Sequence, residues 1–397
     1  MKKELLIMFF IGFAFNMSAQ SVDPLIAKDL EAQTIWVDSI MKNMTLDEKI
    51  GQLFMVQAYS NKDEKHADFI TKMIKEYHVG NLIFMQGTPE KQAELNNRYQ
   101  EAAKVPLMIG FDGEWGLDMR LKDAYRFPWN MTLGAIRNDS LIKEFGVHLG
   151  KHCKRLGIHI NFAPVVDINT NPENPIIGNR SFGENKENVT QKAIAFTQGM
   201  QSEGVLANAK HFPGHGDTAS DSHHTLPVLN FDIARLDSVE LYPYKKVFDA
   251  GVASVMTAHL SIPSLESNKR LPTSLSKNVV TNLLQQKLGF LGLVITDGLN
   301  MKGAANYATS AEINLAAIQA GNDLLLIPQD LPATINIIKK AIELKTLTEE
   351  RLNFSVRKIL RAKHWAGLHT YKPIVLEGIE KDLNAIEDEL LHRKLVK

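Results

Sequence analysis

From Ile50 onward, eight short apolar runs of β type alternate with amphipathic stretches of helical period. The runs are GQLFMVQ (51–57), VGNLIFM (79–85), VPLMIGFD (105–112), IHINFAP (158–164), VLANAKH (205–211), ASVMTAH (253–259), GLVITDG (292–298) and NDLLLIP (322–328). A strand with one wet face alternates apolar and polar residues, whereas near-continuous apolar runs need cover on both faces. Repeated strand–helix alternation supplies that cover as a parallel sheet wrapped in helices. Eight units predict an α/β fold of the closed (β/α)8 TIM-barrel type, and the repeating region is close to the roughly 250 residues usual for it, with insertions. An open doubly wound sheet predicts a Gly-rich phosphate turn after the first strand. GQLFMVQAYS has none, which argues against a nucleotide fold.

The polar residues of these runs fall in one place. Asp112, Asp167, Lys210 with His211, His259 and Asp297 each lie at or just beyond the C-terminal end of a run, which is the face where barrels assemble their sites. The fifth run continues into KHFPGHGDTASDSHHTLP (210–227), with four histidines, two aspartates and no regular period. Long polar loops in compact domains are functional or disordered, and this one is too rich in His to read as disordered. Asp221 and His223 have the spacing at which a carboxylate orients one imidazole nitrogen and leaves the other for a substrate, the pairing of acid/base catalysis.

An acid needs a partner. Asp297, in LVITDGLNM, is either a turn or helix cap or the carboxylate nucleophile of a retaining glycoside hydrolysis. Asp112 and Arg120 frame FDGEWGLDMR, Arg180 sits in PIIGNRSFG, and Lys210 and His211 end an otherwise apolar run. They read as a salt-bridged loop or as readers of sugar hydroxyls. Two other classes stay open: a metal-dependent hydrolase using His211, His215, Asp217, Asp221, His223 and His224, and a non-catalytic sugar-binding barrel. Pro213, Gly214 and Gly216 make a helix across the His211/His215 pair improbable, which counts against the metal reading.

Composition narrows the partners. With 45 basic and 45 acidic residues, the chain has no surplus for a nucleic-acid surface or a polybasic membrane patch. The N-terminus, MKKELLIMFFIGFAFNMSAQ, has two lysines, an apolar run and a small-residue exit. It predicts a signal peptide over 1–20 and export to the periplasm or exterior, the apolar run being shorter than the roughly 20 residues of a membrane span. Cys153 is the only cysteine, so no intrachain disulfide forms, and it reads as a buried small hydrophobe. Thr45 and Glu48 have capping-box spacing for a helix feeding the first strand. The barrel domain is expected over 21–368, followed by a linker and helical extension over 369–397.

NFAPVVDINTNPENPIIGNRSFG (161–183), AKHFPGHGDTASDSH (209–223), MTAHLSIP (256–263) and LGFLGLVITDGLNMKG (288–303) together resemble glycoside hydrolase family 3, from about Met44 to Leu368. The GHGD loop followed by Asp-x-His resembles its β-N-acetylglucosaminidase branch. The resemblance implies Asp297 as nucleophile, His223 as acid/base and Asp221 as its partner. It further implies Asp112, Arg120, Arg180, Lys210 and His211 as substrate-binding residues, with His259 and Met301 at the pocket wall. No metal or cofactor is implied, and the partner is a carbohydrate: a muropeptide, chitin oligosaccharide or other β-hexosaminide. A histidine acid leaves phosphorolysis open beside hydrolysis, and β-glucosidase activity occurs in the same family. Trp115, Leu117 and Gly298 depart from the family pattern, and a tryptophan at the rim would stack on a sugar or occlude the site. Members of the family often continue into an αβα domain after a segment like the last thirty residues; an Asp–His acid would make the barrel catalytically complete without it.

Overall fold

The computed structural model describes residues 23–397; the expected signal peptide lies outside the described residues. All eight expected strands are present: β1 (Phe54–Ala58), β2 (Asn81–Phe84), β3 (Met108–Phe111), β4 (Ile160–Asn161), β5 (Leu206–Phe212), β6 (Ser254–Thr257), β7 (Leu293–Thr296) and β8 (Leu325–Leu326). They pair in parallel in the order β7-β6-β5-β4-β3-β2-β1-β8. A parallel bridge between Ile295 and Leu324, with Thr296 N–H donating to the Leu324 carbonyl at 3.0 Å, brings the two ends together as a barrel.

The strands are shorter than the apolar runs because apolar residues extend past the paired segment into the packing beneath the helices. Phe54, Phe84, Phe111 and Phe162 are fully buried. Two buried donors in this core find side-chain acceptors: Asn208 Nδ2 donates to Ser254 Oγ at 2.8 Å and Thr257 Oγ1 to Asn322 Oδ1 at 2.9 Å. Each such bond spares its donor the penalty of roughly 1–3 kcal/mol for a buried group left unpaired. The Thr45–Glu48 capping box forms, with Thr45 N–H donating to Glu48 Oε2 at 2.7 Å, and starts the helix Leu46–Gly51 that leads into β1. Cys153 is fully buried, and burial pushes its thiol well above the ordinary range. Lys363, buried among the helices, donates to Gln52 Oε1 at 2.6 Å, and burial pushes its ammonium down to about 7.

The C-terminal segment packs onto the barrel rather than standing apart. After the turn Leu368–Thr370 come an extended stretch and two helices, Ile379–Asp382 and Ile386–Leu395. They bury Ile379, Leu383, Leu391 and Leu395. Asp388 sits between His148 and His152 of the helix Asp139–Arg155, at 3.3 and 3.1 Å. Arg155 donates to the carbonyls of Val375 and Glu377 and to Asp382. Among the described residues no helix is long and apolar enough to cross a membrane.

Candidate active site

A cavity of about 450 Å³ opens at the C-terminal ends of the strands. Of the sequence-derived residues, Asp112, Arg120, Arg180, Lys210, His211, His223, Asp297 and Met301 line it. Asp221 stands just behind His223. His259 does not reach the cavity: it is fully buried, accepts from Ser274 Oγ at 2.6 Å and donates from Nε2 to the Gly298 carbonyl at 3.0 Å. Its place is therefore behind the wall, steadying the turn after Asp297.

Asp297 follows β7 directly, and its N–H donates to the Thr257 carbonyl at 2.9 Å, so the sheet itself fixes its backbone. Its Oδ1 accepts from the Gly298 N–H at 2.8 Å. Oδ2 has no hydrogen-bond partner among the described residues and is the oxygen left for chemistry. Burial alone would raise this carboxyl, but His211, His259, the Gly298 N–H and Lys210 outweigh it and hold it below its ordinary value.

The floor of the cavity is a chain of ion pairs. Arg120 Nη2 donates to Asp112 Oδ2 at 2.7 Å, and Lys210 Nζ to Asp112 Oδ1 at 3.1 Å. The same ammonium lies 2.6 Å from Glu114 Oε1, and Arg180 grips Glu114 through Nε and Nη2 at 2.9 and 2.8 Å. Three cations thus face two carboxylates. The Lys210 side chain is 2 % exposed and that of Glu114 0 %. Burial pushes Glu114 up, yet Arg180 and Lys210 prevail and bring it down to about 2. Asp112 likewise stays well below the usual range, burial being outweighed by Lys210 and Arg120. Glu114 was not among the residues singled out from the sequence; its only signal there is its position two residues after Asp112 at a strand end.

Asp167 organises the next layer. It is buried, takes the backbone N–H groups of His211 and His215, and accepts from His211 Nδ1 at 2.7 Å. Arg180 can only donate, so at 3.3 Å from Nε2 it fixes His211 as the Nδ1–H tautomer. His215, without a role in the sequence reading, donates from Nδ1 to Thr218 Oγ1 at 2.6 Å and accepts from Ser222 Oγ at 3.2 Å. Burial, with the neighbouring His211, pushes His215 down to about 4, consistent with this neutral form. It therefore ties the start of the loop to the residue just before His223. His224 is exposed and outside the cavity.

The loop turns back through Gly214 (φ 137°) and Gly216. A Cβ at Gly216 would lie 1.8 Å from the Ile168 carbonyl oxygen, and one at Gly214 2.8 Å from Glu240 Cβ. At its far end the Asp221 carbonyl accepts from the N–H groups of His224 and Thr225, a single turn. Asp221 Oδ1 accepts from the His223 N–H at 2.8 Å and lies 2.7 Å from its Nδ1. A carboxylate at Nδ1 holds the proton there and leaves Nε2 to exchange one with a substrate. Burial works against ionisation of Asp221, but the His223 N–H and ring hold it below its ordinary value. The His223 side chain is 55 % exposed, that of Asp221 23 %.

Trp115 neither caps nor blocks the opening, because its ring packs on Trp129 with centroids 4.1 Å apart. Among the described residues no group of three or more His, Cys, Asp or Glu is arranged to hold a metal ion. His211 and His215, the candidates nearest one another, are committed to the hydrogen bonds above.

Comparison with known proteins bears on the fold and the family. The family model for the glycosyl hydrolase family 3 N terminal domain matches residues 45–362. The beta-hexosaminidase A of Pseudoalteromonas piscicida is 32 % identical over 326 residues, 74 % of this chain and 54 % of that protein. The chain thus spans about half the length of that relative. The solved structure of a glycoside hydrolase family 3 beta-N-acetylglucosaminidase from Paenibacillus sp. superposes with a TM-score of 0.82 at 36 % identity, covering 89 % of this chain and 68 % of that one. The beta-glucoside phosphorylase BglX superposes with a TM-score of 0.87 at 25 % identity, covering 95 % and 68 %. By a family model that spans most of its length, and with the barrel to match, the chain belongs to glycosyl hydrolase family 3 through that family's N-terminal domain.

Proposed function

We propose that the chain is an exported, retaining, exo-acting β-N-acetylhexosaminidase. It removes terminal non-reducing N-acetylglucosamine from peptidoglycan fragments or chitin-type oligosaccharides. The observation that carries this reading is that a carboxylate fixed by the sheet, Asp297, and an imidazole oriented by a carboxylate, His223, face one cavity whose floor is lined with paired ions. The names of the relatives, a beta-hexosaminidase and a beta-N-acetylglucosaminidase, favour the N-acetylated sugar.

In the first step Asp297 Oδ2 attacks the anomeric carbon as the bond to the leaving oxygen breaks, and that oxygen takes the proton from His223 Nε2. In the second, His223 takes a proton from water, the water oxygen attacks the anomeric carbon, and the Asp297 carboxylate is released. Asp221 stabilises the imidazolium that donates in the first step and is formed again in the second. Asp112, Lys210, Arg180 and Arg120 present fixed donors and acceptors to the hydroxyl and N-acetyl groups, so the sugar is held without reorganising the site.

The test is kinetic. Asp297→Ala abolishes turnover of an aryl β-N-acetylglucosaminide. His223→Ala slows substrates with poor leaving groups far more than activated aryl glycosides, which need little protonation; equal slowing removes His223 from the acid role. The likeness to a phosphorylase, together with an acid that is not a carboxylate, favours phosphate as a second acceptor. Running the assay with and without phosphate separates N-acetylglucosamine from its 1-phosphate, and an aryl glucoside in parallel tests the preference for the N-acetyl group.

A further inference from the structure

Beyond the loop that carries His223 lies a second cavity, of about 310 Å³. Its charged wall residues have one sign: Lys269, Arg270 and Lys302, with no carboxylate beside them. All three are exposed. The cations of the catalytic cavity are each locked in a salt bridge, whereas among the described residues these three make none. The rest of the wall suits a ring. Tyr307 offers an aromatic face, and Val228, 54 % exposed, an apolar one.

The two cavities share a wall. Gly303, in the outer cavity, donates its N–H at 3.0 Å to the carbonyl of Ser222, which lines the inner one. Met301 faces the inner cavity and its neighbour Lys302 the outer. The acid of a glycosidase stands at the leaving-group oxygen. With His223 in that role, the leaving-group half of the substrate passes over the 223–228 segment towards the outer cavity.

We propose that Lys269, Arg270 and Lys302 form an anion-recognising subsite for the leaving-group half of the substrate, and that it takes a sugar residue bearing a carboxylate. The proposal rests on the assignment of His223 as acid. The guanidinium fork of Arg270 matches two carboxylate oxygens, and the two ammoniums add charge without fixed geometry. Tyr307 and Val228 carry the ring. Exposed charges act weakly one by one, about twofold in binding each, so the three together give a preference of about tenfold.

The experiment compares three substrates: an aryl β-N-acetylglucosaminide, N,N′-diacetylchitobiose, and a disaccharide of β-linked N-acetylglucosamine on glucuronic acid. Each is assayed with the full chain and with the triple variant Lys269→Ser/Arg270→Ser/Lys302→Ser. The expected kcat/KM of the unsubstituted protein is about tenfold higher on the glucuronic-acid disaccharide than on the neutral one, shrinking as added salt shortens the screening length. The triple variant treats the two alike and keeps its aryl activity. A preference that survives the triple substitution, or no preference in the unsubstituted protein while aryl activity is intact, overturns the subsite alone. Free glucuronate altering the aryl reaction of the unsubstituted protein but not of the variant, with no disaccharide preference, makes the cavity a site for a free anion and overturns the substrate role. Failure of all three substrates overturns the proposed activity and the subsite with it.

Discussion

Glu114→Gln tests whether the ionic floor of the cavity is held together by one buried carboxylate. The substitution keeps the shape and removes the charge that Arg180 and Lys210 share. Two independent routes give its size. Glu114 falls from 4.5 to about 2 on folding, which at ~1.36 kcal/mol per pH unit is about 3 kcal/mol. Breaking a buried ion pair by neutralising one partner costs about 3–5 kcal/mol. The sign follows from the depressed folded value: the contribution is complete above about pH 4.5 and is lost as the pH falls towards 2. Urea unfolding followed by tryptophan fluorescence measures it. At pH 7 the variant should be less stable by about 3 kcal/mol with an unchanged denaturant slope, and the gap should roughly halve by pH 3. A variant within 1 kcal/mol of the parent at pH 7, or a gap that does not close in acid, refutes the reasoning.

Three further outcomes are expected. Gly216→Ala should lower stability by about 1–3 kcal/mol and reduce activity, because its methyl meets the Ile168 carbonyl and the backbone must move; thermal unfolding and an aryl-glycoside assay together check this. Lys363 has a folded value of about 7, so folding sheds its proton and stability should rise with pH from 7 to 10.5; the difference between the parent and Lys363→Met, followed by urea unfolding across that range, should show this rise. Asp297 lies below 3.8, so the acid limb of kcat/KM should sit below that pH, and an acid limb above pH 5 removes Asp297 as the group that must be ionised.

The fold was legible because both its signals are local: an apolar run marks a strand buried on two faces, and a polar residue ending such a run marks the active face. Asp112, Lys210 and Asp297 follow from that rule alone, and the structure places all three around one cavity. Strand length was less legible: β4 and β8 pair over two residues each within apolar runs of seven. Glu114 was missed as a site residue, and Asp167, though placed on the active face, was given no role there, for a different reason. Their significance lies in Arg180, Lys210 and His211, which arrive from loops and strands more than forty residues further along. The position of Trp115 was equally non-local, because Trp129, its packing partner, draws it away from the opening. His259 ends an apolar run like the others, but Ser274 and the Gly298 carbonyl claim both its nitrogens.

The proposed nucleophile and the proposed acid belong to different kinds of architecture. Asp297 is continuous with the sheet, so its position is inherited from the whole barrel and changes only if the barrel does. His223 is carried on a hairpin of chain secured at a glycine turn, at the His215–Ser222 link and by its own Asp221. Substitutions at the positions of 217–227 other than Thr218, Asp221, Ser222 and His223 are therefore expected to cost little in folding and, under the proposed function, to act on the leaving group rather than on the sugar held at Asp297. For an engineer, the barrel is the chassis and this hairpin the exchangeable tool.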